Sequence, residues 1–475
     1  MMYQVPEHID KNKIFIVKRS EIEGRLDPHY NMPVYCELFN TLETLPFELS
    51  TLKQESYAIF SGITPRSGGD AYSSEDDSVP FVRSGDYSET NMIDFSNLLC
   101  LKPEVHNTIM KGSQLKKNDL LIAIVGATIG KIGVYIYDKA ANINQAICGV
   151  RLKEHISPFY IQAFYQTNIG QKIIERAKRP VARANLNLEE IGNLPIPIVD
   201  ESLQQKVVET LKNGIDKKLQ KETEAQELLE SIDTYILNEL GITLPEIKTD
   251  LKSRMFLVNR SKLERRFDPT VHKDEIKLIS SKYENVRLSN VAFVNPNGVF
   301  NGKDISTPIS FIPMEAIDEV YSEITSTSET LIENASGFTK FKEGDLLWAK
   351  ITPCMQNGKS AIARNLVNGL GCGSTEFFVL RPKNTNLLIE YLHIILHMRC
   401  VRETAMLYFG GSAGQQRVAT SFIEDFYLPL PHCEKQQEMV THIYNLRLRA
   451  KTLQVEGKDI LENAKKEVEQ MIIGK

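Results

Sequence analysis

The side chains of this 475-residue chain that could do chemistry are polar and basic groups set in loops. Thr64, Arg66 and Ser67 form one such group, Arg83 and Asp86 a second, and Arg179, Arg183 and Asn185 a third. Lys350, Gln356, Lys359, Ser412, Gln415, Gln416 and Arg417 fall in the second half. Arginine can bond guanine through paired donors, asparagine or glutamine can do so for adenine, and lysine mostly finds phosphate. The set points to nucleic-acid contacts, although any one of these residues alone reads as ordinary surface. Gly126-Ala-Thr-Ile-Gly130-Lys131 invites a phosphate-loop reading. Its glycines stand one residue too close for that motif, and Ile132 replaces the Ser or Thr that would reach magnesium. A tight glycine turn between strands fits better, with Lys131 left as a phosphate contact. His393 and His397 share a helical face, but HIILH lacks the glutamate of a zinc HExxH site, so no metal centre is expected. Neither a Ser/His/Asp or Cys/His arrangement nor an Asn/Asp-Pro-Pro-Tyr/Phe methyltransferase motif stands out, which favours binding over catalysis.

Composition fits a soluble globular protein, with 42% hydrophobic and 25% charged residues. The length exceeds what one core supports, so two or three domains are expected. No apolar run approaches a membrane span, and the N-terminal MMYQVPEHIDKNK has no signal-peptide core. The seven cysteines are scattered without CxxC pairs and read as reduced thiols of a cytoplasmic protein. Net charge is −5, and Asp200–Leu240, with ten acids against five lysines, accounts for all of it. The rest is near neutral and holds basic islands at Lys172–Arg183 and Lys340–Arg417 that could face phosphates.

The elements that must position these residues occur twice. Phe15–Asn31 and Phe256–His272 share the ungapped frame F-x-V-x-R-S-x-x-E-x-R-x-D-P, 241 residues apart. Lys117–Ala123 matches Glu343–Ala349 as a turn entering a buried strand, and Gly149–Lys153 matches Val379–Lys383. Leu194-Pro-Ile-Pro197 matches Leu428-Pro-Leu-Pro431, and the pairs Gln204-Gln205 and Gln436-Gln437 each open a long helix. Short Val/Ile/Phe/Tyr runs at 79–87, 120–126, 131–137 and 309–314 predict strands, and helices are expected over 158–177 and 387–405. The long polar loop Ser61–Asp77 has no core-building residues in its middle and suits a binding role.

Ser202–Leu240 has no proline and one glycine, with apolar residues at three- and four-residue steps from Leu203 to Leu240. It predicts a helix of roughly 58 Å ending at Gly241. Glu434–Ile473 carries a similar stripe, so the two should bury their seams on each other or on partner helices. An antiparallel pairing would place the two modules at opposite ends. The predicted class is α/β (mixed α+β), with domains at 1–200 and 246–432 and long helices at 201–245 and 433–475.

The order G-I-T-P (62–65), V-P-F-V-R-S-G-D (79–86), G-A-T-I-G-K (126–131), I-N-Q-A-I (143–147), A-N-L-N-L-E-E-I (184–191) and L-P-I-P resembles the specificity subunit of type I restriction–modification systems. In the second half G-S-A-G-Q-Q-R-V (411–418), L-P-L-P and the Gln pair match, whereas I-T-P-C-M-Q-N-G-K (351–359) departs from G-A-T-x-G-K. The resemblance implies two target-recognition domains, each reading half of a split site in double-stranded DNA, with the helices as an antiparallel coiled coil that sets the gap. It implies no cofactor on this chain. Two methyltransferase subunits would dock and use S-adenosylmethionine, and restriction/translocase subunits would use ATP and Mg, in a bacterial or archaeal cytoplasm with no membrane partner. Two other readings stay open: a duplicated coiled-coil scaffold without DNA readout, and a diverged nuclease or methyltransferase. A related methyltransferase system without a nuclease is a variant of the first.

Overall fold

The structure is a computed structural model and describes residues 10, 13–19, 22, 25–66, 70–88, 90, 92–95, 97–179, 185–245, 257, 277–411 and 415–474. The second copy of the repeated opening segment, Leu257 apart, lies outside the described residues, as do Ser67, Arg183 and Ser412. The chain forms two compact units. One holds residues 1–222 with 454–475, the other residues 223–453. Each therefore contains one globular module and a portion of both long helices.

In the first unit the strands are β1 (Glu48–Thr51), β2 (Ser56–Ser61), β3 (Val79–Val82), β4 (Leu99–Leu101), β5 (Leu120–Ala123), β6 (Ile132–Val134), β7 (Asn142–Ile143), β8 (Ile147–Leu152) and β9 (Pro195–Ile198). They make an antiparallel sheet of order β2-β8-β5-β6, a sheet β4-β3-β7 whose β3–β7 pair is parallel, and a β1–β9 ribbon. The helices are α1 (Pro33–Glu43), α2 (Pro103–Asn107), α3 (Pro158–Gln166), α4 (Asn168–Ala177), α5 (Leu188–Gly192) and the start of α6 (Glu201–Leu240). All four β5 residues are buried because both faces of the strand are covered. Leu120 and Ile122 join the core shared with α3, α4 and α6, and Leu121 and Ala123 join the one shared with β3 and β7.

The second unit repeats this plan with β10 (Asn285–Arg287), β11 (Ala292–Val294), β12 (Pro308–Ile312), β13 (Ser328–Leu331), β14 (Thr339–Lys342), β15 (Leu346–Ala349), β16 (Ser360–Ile362), β17 (Leu370–Gly373), β18 (Phe377–Pro382), β19 (Phe409–Gly410), β20 (Arg417–Val418) and β21 (Tyr427–Pro429). Its sheets are β11-β18-β15-β16 and β13-β12-β17-β14, again with one parallel pair, β12–β17, and a β10–β21 ribbon. Helices α7 (Leu288–Val291), α8 (Ile389–His397), α9 (Arg399–Met406) and α10 (Thr420–Asp425) precede α11 (Cys433–Ile473).

The duplication extends to buried polar groups. Asp119 accepts a paired bond from Arg151, and Asp345 one from Arg381. Gln204 fixes the start of α6 by accepting from Ser157 N–H and donating to the carbonyls of His155 and Val199. Gln436 does the same at α11, with Leu388 N–H and the carbonyls of Asn386 and Pro431. Of each glutamine pair, then, the first member is the structural one.

The segments 158–177 and 387–405, expected as single helices, are each two. At Thr167 the backbone turns extended (ψ 165°), and the hydroxyl accepts Gly170 N–H as the cap of α4. A Cβ on Gly170 would lie 2.3 Å from the Phe164 carbonyl oxygen, so the elbow excludes larger residues. Met398 makes the corresponding break between α8 and α9.

The long helices run antiparallel in both units. In the first, Gly214 lies against Ala464 and Lys221 pairs with Glu456 at 2.8 Å, with Val207, Leu211, Leu461, Val468 and Ile472 in the core. In the second, Glu224 faces Arg449 and Glu239 pairs with Lys435 at 2.6 Å, around Ile232, Ile236, Leu240, Met439 and Ile443. Helix α6 stops where predicted. Gly241 takes φ +62°, and Ile242 N–H returns to the Leu237 carbonyl. Among the described residues no helix is long and apolar enough to cross a membrane.

Candidate nucleic-acid interface

Beyond β5 the chain continues as Ile124–Val125, held on both sides. Ile124 N–H donates to the Ala146 carbonyl at 2.9 Å, and its own carbonyl accepts Leu186 N–H at 3.0 Å. Val125 bridges Asn185, whose carbonyl also accepts Arg179 N–H at 3.2 Å. On the other flank Thr64 Oγ1 accepts Gln145 N–H at 3.2 Å. Gly62 has no room for a side chain there, since a Cβ would lie 1.9 Å from the Asn144 carbonyl oxygen. One edge of the first unit thus presents Thr64, Gln145, Asn185 and Arg179, with Thr64, Arg66, Gln145 and Asn185 exposed.

The second unit builds the same edge from different residues. Lys350 N–H donates to the Glu376 carbonyl at 2.9 Å, Val418 N–H to the Lys350 carbonyl at 2.8 Å, and Thr352 N–H to the Gln416 carbonyl at 2.9 Å. Ile351 bridges Arg417 as Val125 bridges Asn185. I-T-P-C-M-Q-N-G-K departs in sequence but closes the same way. Gly358 (φ +88°) matches Gly130 (φ +91°), and the carbonyl of the next lysine accepts from Ala349 as Lys131 does from Ala123.

Both of those lysines turn inward. Lys131 Nζ donates to the carbonyls of Tyr87 (3.2 Å) and Ser88 (3.4 Å), and Lys359 Nζ to that of Met314 (3.3 Å). Each ammonium therefore ties its loop to the 3₁₀ turn after the first strand of the neighbouring sheet, Ser84–Asp86 or Met314–Ala316. Three arginines carry an acid. Asp86 holds the Arg83 guanidinium at 3.1 Å, Glu190 holds Arg179 at 2.6 Å, and Glu376 grips Arg417 from Nε and Nη2 at 2.7–3.1 Å. Arg417 Nη1 also reaches the Gln415 carbonyl at 3.0 Å. Lys350 Nζ lies 5.6 Å from the Phe378 ring centre, beside an open cavity of about 590 Å³ lined by Tyr408, Phe409 and Arg417. Gln356 turns its side-chain amide toward Met406 Sδ (3.8 Å), and its backbone carbonyl accepts from Arg402.

Sequence reasoning missed Gln145, Glu190 and Glu376. The first two lie inside quoted motifs, I-N-Q-A-I and A-N-L-N-L-E-E-I, whereas nothing local marks Glu376 as the partner of Arg417. Of the HIILH histidines, His393 is buried and His397 is partly exposed beside the Glu319 carbonyl. His393 Nε2 lies 3.0 Å from Ser360 Oγ, and burial, reinforced by the Arg447 charge, pushes its pKa down to about 3. Burial likewise holds His397 well below the usual range. Among the described residues no group of His, Cys, Asp or Glu is arranged to hold a metal. The two edges offer amides, hydroxyls and acid-oriented guanidiniums, which suit base-edge recognition better than a field of bare cations would.

Residues 67–231 and 280–457 match the family model for the type I restriction modification DNA specificity domain. The chain belongs to that family. The match falls once in each half, so the domain, like the fold, is present twice. Part of the chain is 35% identical over 166 residues to the specificity subunit of the type I restriction enzyme EcoEI of Escherichia coli. A stretch of 169 residues is 32% identical to that of EcoAI from the same species. These stretches cover 33% and 34% of this chain but only 26% and 28% of those proteins' lengths. A solved chain described under complex assembly and conformational transition of the type I R-M system shares the fold at TM-score 0.51 and 13% identity, over 90% of this chain and 97% of that one.

Proposed function

We propose that this chain is the non-catalytic DNA-specificity subunit of a type I restriction–modification enzyme, each unit reading one half of a split site in double-stranded DNA. The duplicated edge carries the reading: one backbone frame holds Thr64, Gln145, Asn185 and Arg179 in the first unit and Lys350, Gln416 and Arg417 in the second. Two edges with the same scaffold and different side chains suit two different half-sites. The antiparallel helices set the gap, and the acidic α6, with ten acids against five lysines over 200–240, helps to dock two methyltransferase subunits. Those subunits supply S-adenosylmethionine chemistry to a flipped adenine, and restriction/translocase subunits supply ATP- and Mg-dependent steps. This chain binds none of those cofactors and acts in the cytoplasm of a bacterium or archaeon, where the DNA is. Methylation mapping of a host genome with and without the chain tests the proposal. A split motif methylated only in its presence is expected, and an unchanged pattern refutes it. The purified chain with S-adenosylmethionine should leave DNA unmethylated.

A further inference from the structure

In the first unit the R-x-D-P portion of the repeated opening segment grips the residues that flank Arg179 and Asn185. Arg25 Nη1 donates to the Ala177 carbonyl at 2.7 Å and Nη2 to that of Lys178 at 3.2 Å. These are terminal carbonyls of α4, which have no partner within the helix. Arg25 Nη1 also reaches Glu190 Oε1 at 3.2 Å, the same oxygen that holds Arg179 Nε. Asp27 holds Arg25 from behind at 2.8 Å. Glu190 Oε2 accepts Asn187 N–H at 2.8 Å while the Asn187 side chain accepts Glu190 N–H, a capping box just past Asn185. Arg176, one turn back, lies over the rings of Tyr30 and Phe39, and its Nε donates to the Tyr30 carbonyl at 3.0 Å. The Glu190 side chain is 9% exposed and Arg25 19%, against 51% for Arg179.

We infer that Arg25 and Glu190 are positioning residues for DNA recognition: together they clamp both ends of the loop, one at the end of α4 and the other at the start of α5, and so fix Arg179 and Asn185 at the reading edge. The clamp stands on this geometry, and its consequence for DNA rests on the proposed function. Of the pair, Arg25 is the one that bonds both the end of α4 and the Glu190 carboxylate. Lysine at position 25 keeps the charge but lacks the planar fork that serves four acceptors at once.

The test uses the full chain in its methyltransferase complex, with the recognition sequence taken from methylation mapping. Hydrogen exchange of peptides spanning 176–190 is measured in wild type, Arg25→Ala and Arg25→Lys, alongside binding to DNA altered in either half-site. In Arg25→Ala, loss of charged hydrogen bonds should speed exchange at the Arg179 and Leu186 amides about 10-fold or more and cut discrimination at one half-site by about 10-fold. Discrimination at the other half-site should hold, and Arg25→Lys should fall between. In an Arg179→Ala/Asn185→Ala background, Arg25→Ala should add less than about twofold to the binding loss. A role confined to folding would weaken both half-sites alike and add in full, so either result overturns the proposal, as does unchanged exchange. If the wild-type complex discriminates at neither half-site while exchange still rises in Arg25→Ala, the reading function falls and the clamp is a device of the fold alone.

Discussion

The buried pair Asp345–Arg381 gives a quantitative test of how the second unit is held. Arg381 donates to Asp345 at 2.6 Å and 2.7 Å, and the same carboxylate accepts Lys342 N–H at 2.8 Å. The Asp345 side chain is 1% exposed and that of Arg381 21%. Arg381→Met leaves a sealed carboxylate with one backbone donor, and breaking a buried pair in this way costs about 3–5 kcal/mol. Asp345→Ala leaves the guanidinium a path to water and should cost less, about 1.5–3 kcal/mol. The double variant removes the orphaned charge and should fall short of the sum by about 1–3 kcal/mol. The single tryptophan, Trp348, pairs with Phe378 in the same sheet and is buried, so its fluorescence during denaturation reports on this unit. For a domain of this size the Arg381→Met loss corresponds to a fall in Tm of roughly 6–20 °C. A loss under about 1 kcal/mol, or full additivity in the double variant, would falsify the claim that the pair acts as a buried unit.

Gly214→Ala places a Cβ 2.5 Å from that of Ala464. It should destabilise by about 1–3 kcal/mol despite alanine's better helix propensity, with Ala464→Gly restoring the loss in calorimetry. His393 stays neutral in the folded chain down to about pH 3, whereas its unfolded value is 6.5. The unfolded chain therefore binds the extra proton below pH 6.5, and stability falls as pH drops, by up to about 1.4 kcal/mol per pH unit. His393→Gln should remove that slope without changing the pH dependence above 6.5, and an unaltered slope by Trp348 fluorescence would count against a neutral buried imidazole. Matching one-turn insertions in α6 after Glu222 and in α11 after Leu453 lengthen both helices by about 5.4 Å, or one to two base-pair steps. Methylation mapping should then show a wider gap between unchanged half-sites, and an unaltered gap would remove the helices' ruler role.

Elements whose identity is carried by several side chains at fixed spacing were legible in the sequence. The paired modules, the L-P-x-P connectors and the two long helices rest on periodicity and on repeated residues such as Gln204 and Gln436, whose buried amides bridge fixed backbone groups in both copies. The elbows at Thr167 and Met398 were not legible, because apolar spacing runs through them and only the buried turn against Gly170 breaks the first helix. At the edges, residue type identified polar candidates but not their partners. Lys131 looks like a phosphate ligand in sequence, yet its ammonium meets carbonyls at positions 87 and 88. A backbone acceptor more than forty residues away leaves no local pattern to read.

The acids beside the arginines bear on how selective the two edges are. A bare cation on a DNA-facing edge binds any phosphate, which raises affinity for all sequences alike. Glu376 holds Arg417 through several bonds and Glu190 holds Arg179, so each guanidinium is oriented and partly neutralised in the free chain. Such an arginine gains most where a base edge replaces or completes its fork, and little from phosphate alone. Glu376→Gln should therefore strengthen binding to unrelated DNA and steepen its salt dependence, while narrowing the ratio between cognate and non-cognate sites. A variant that weakens binding to both kinds of DNA equally would mean that Glu376 serves only to hold β20 in place.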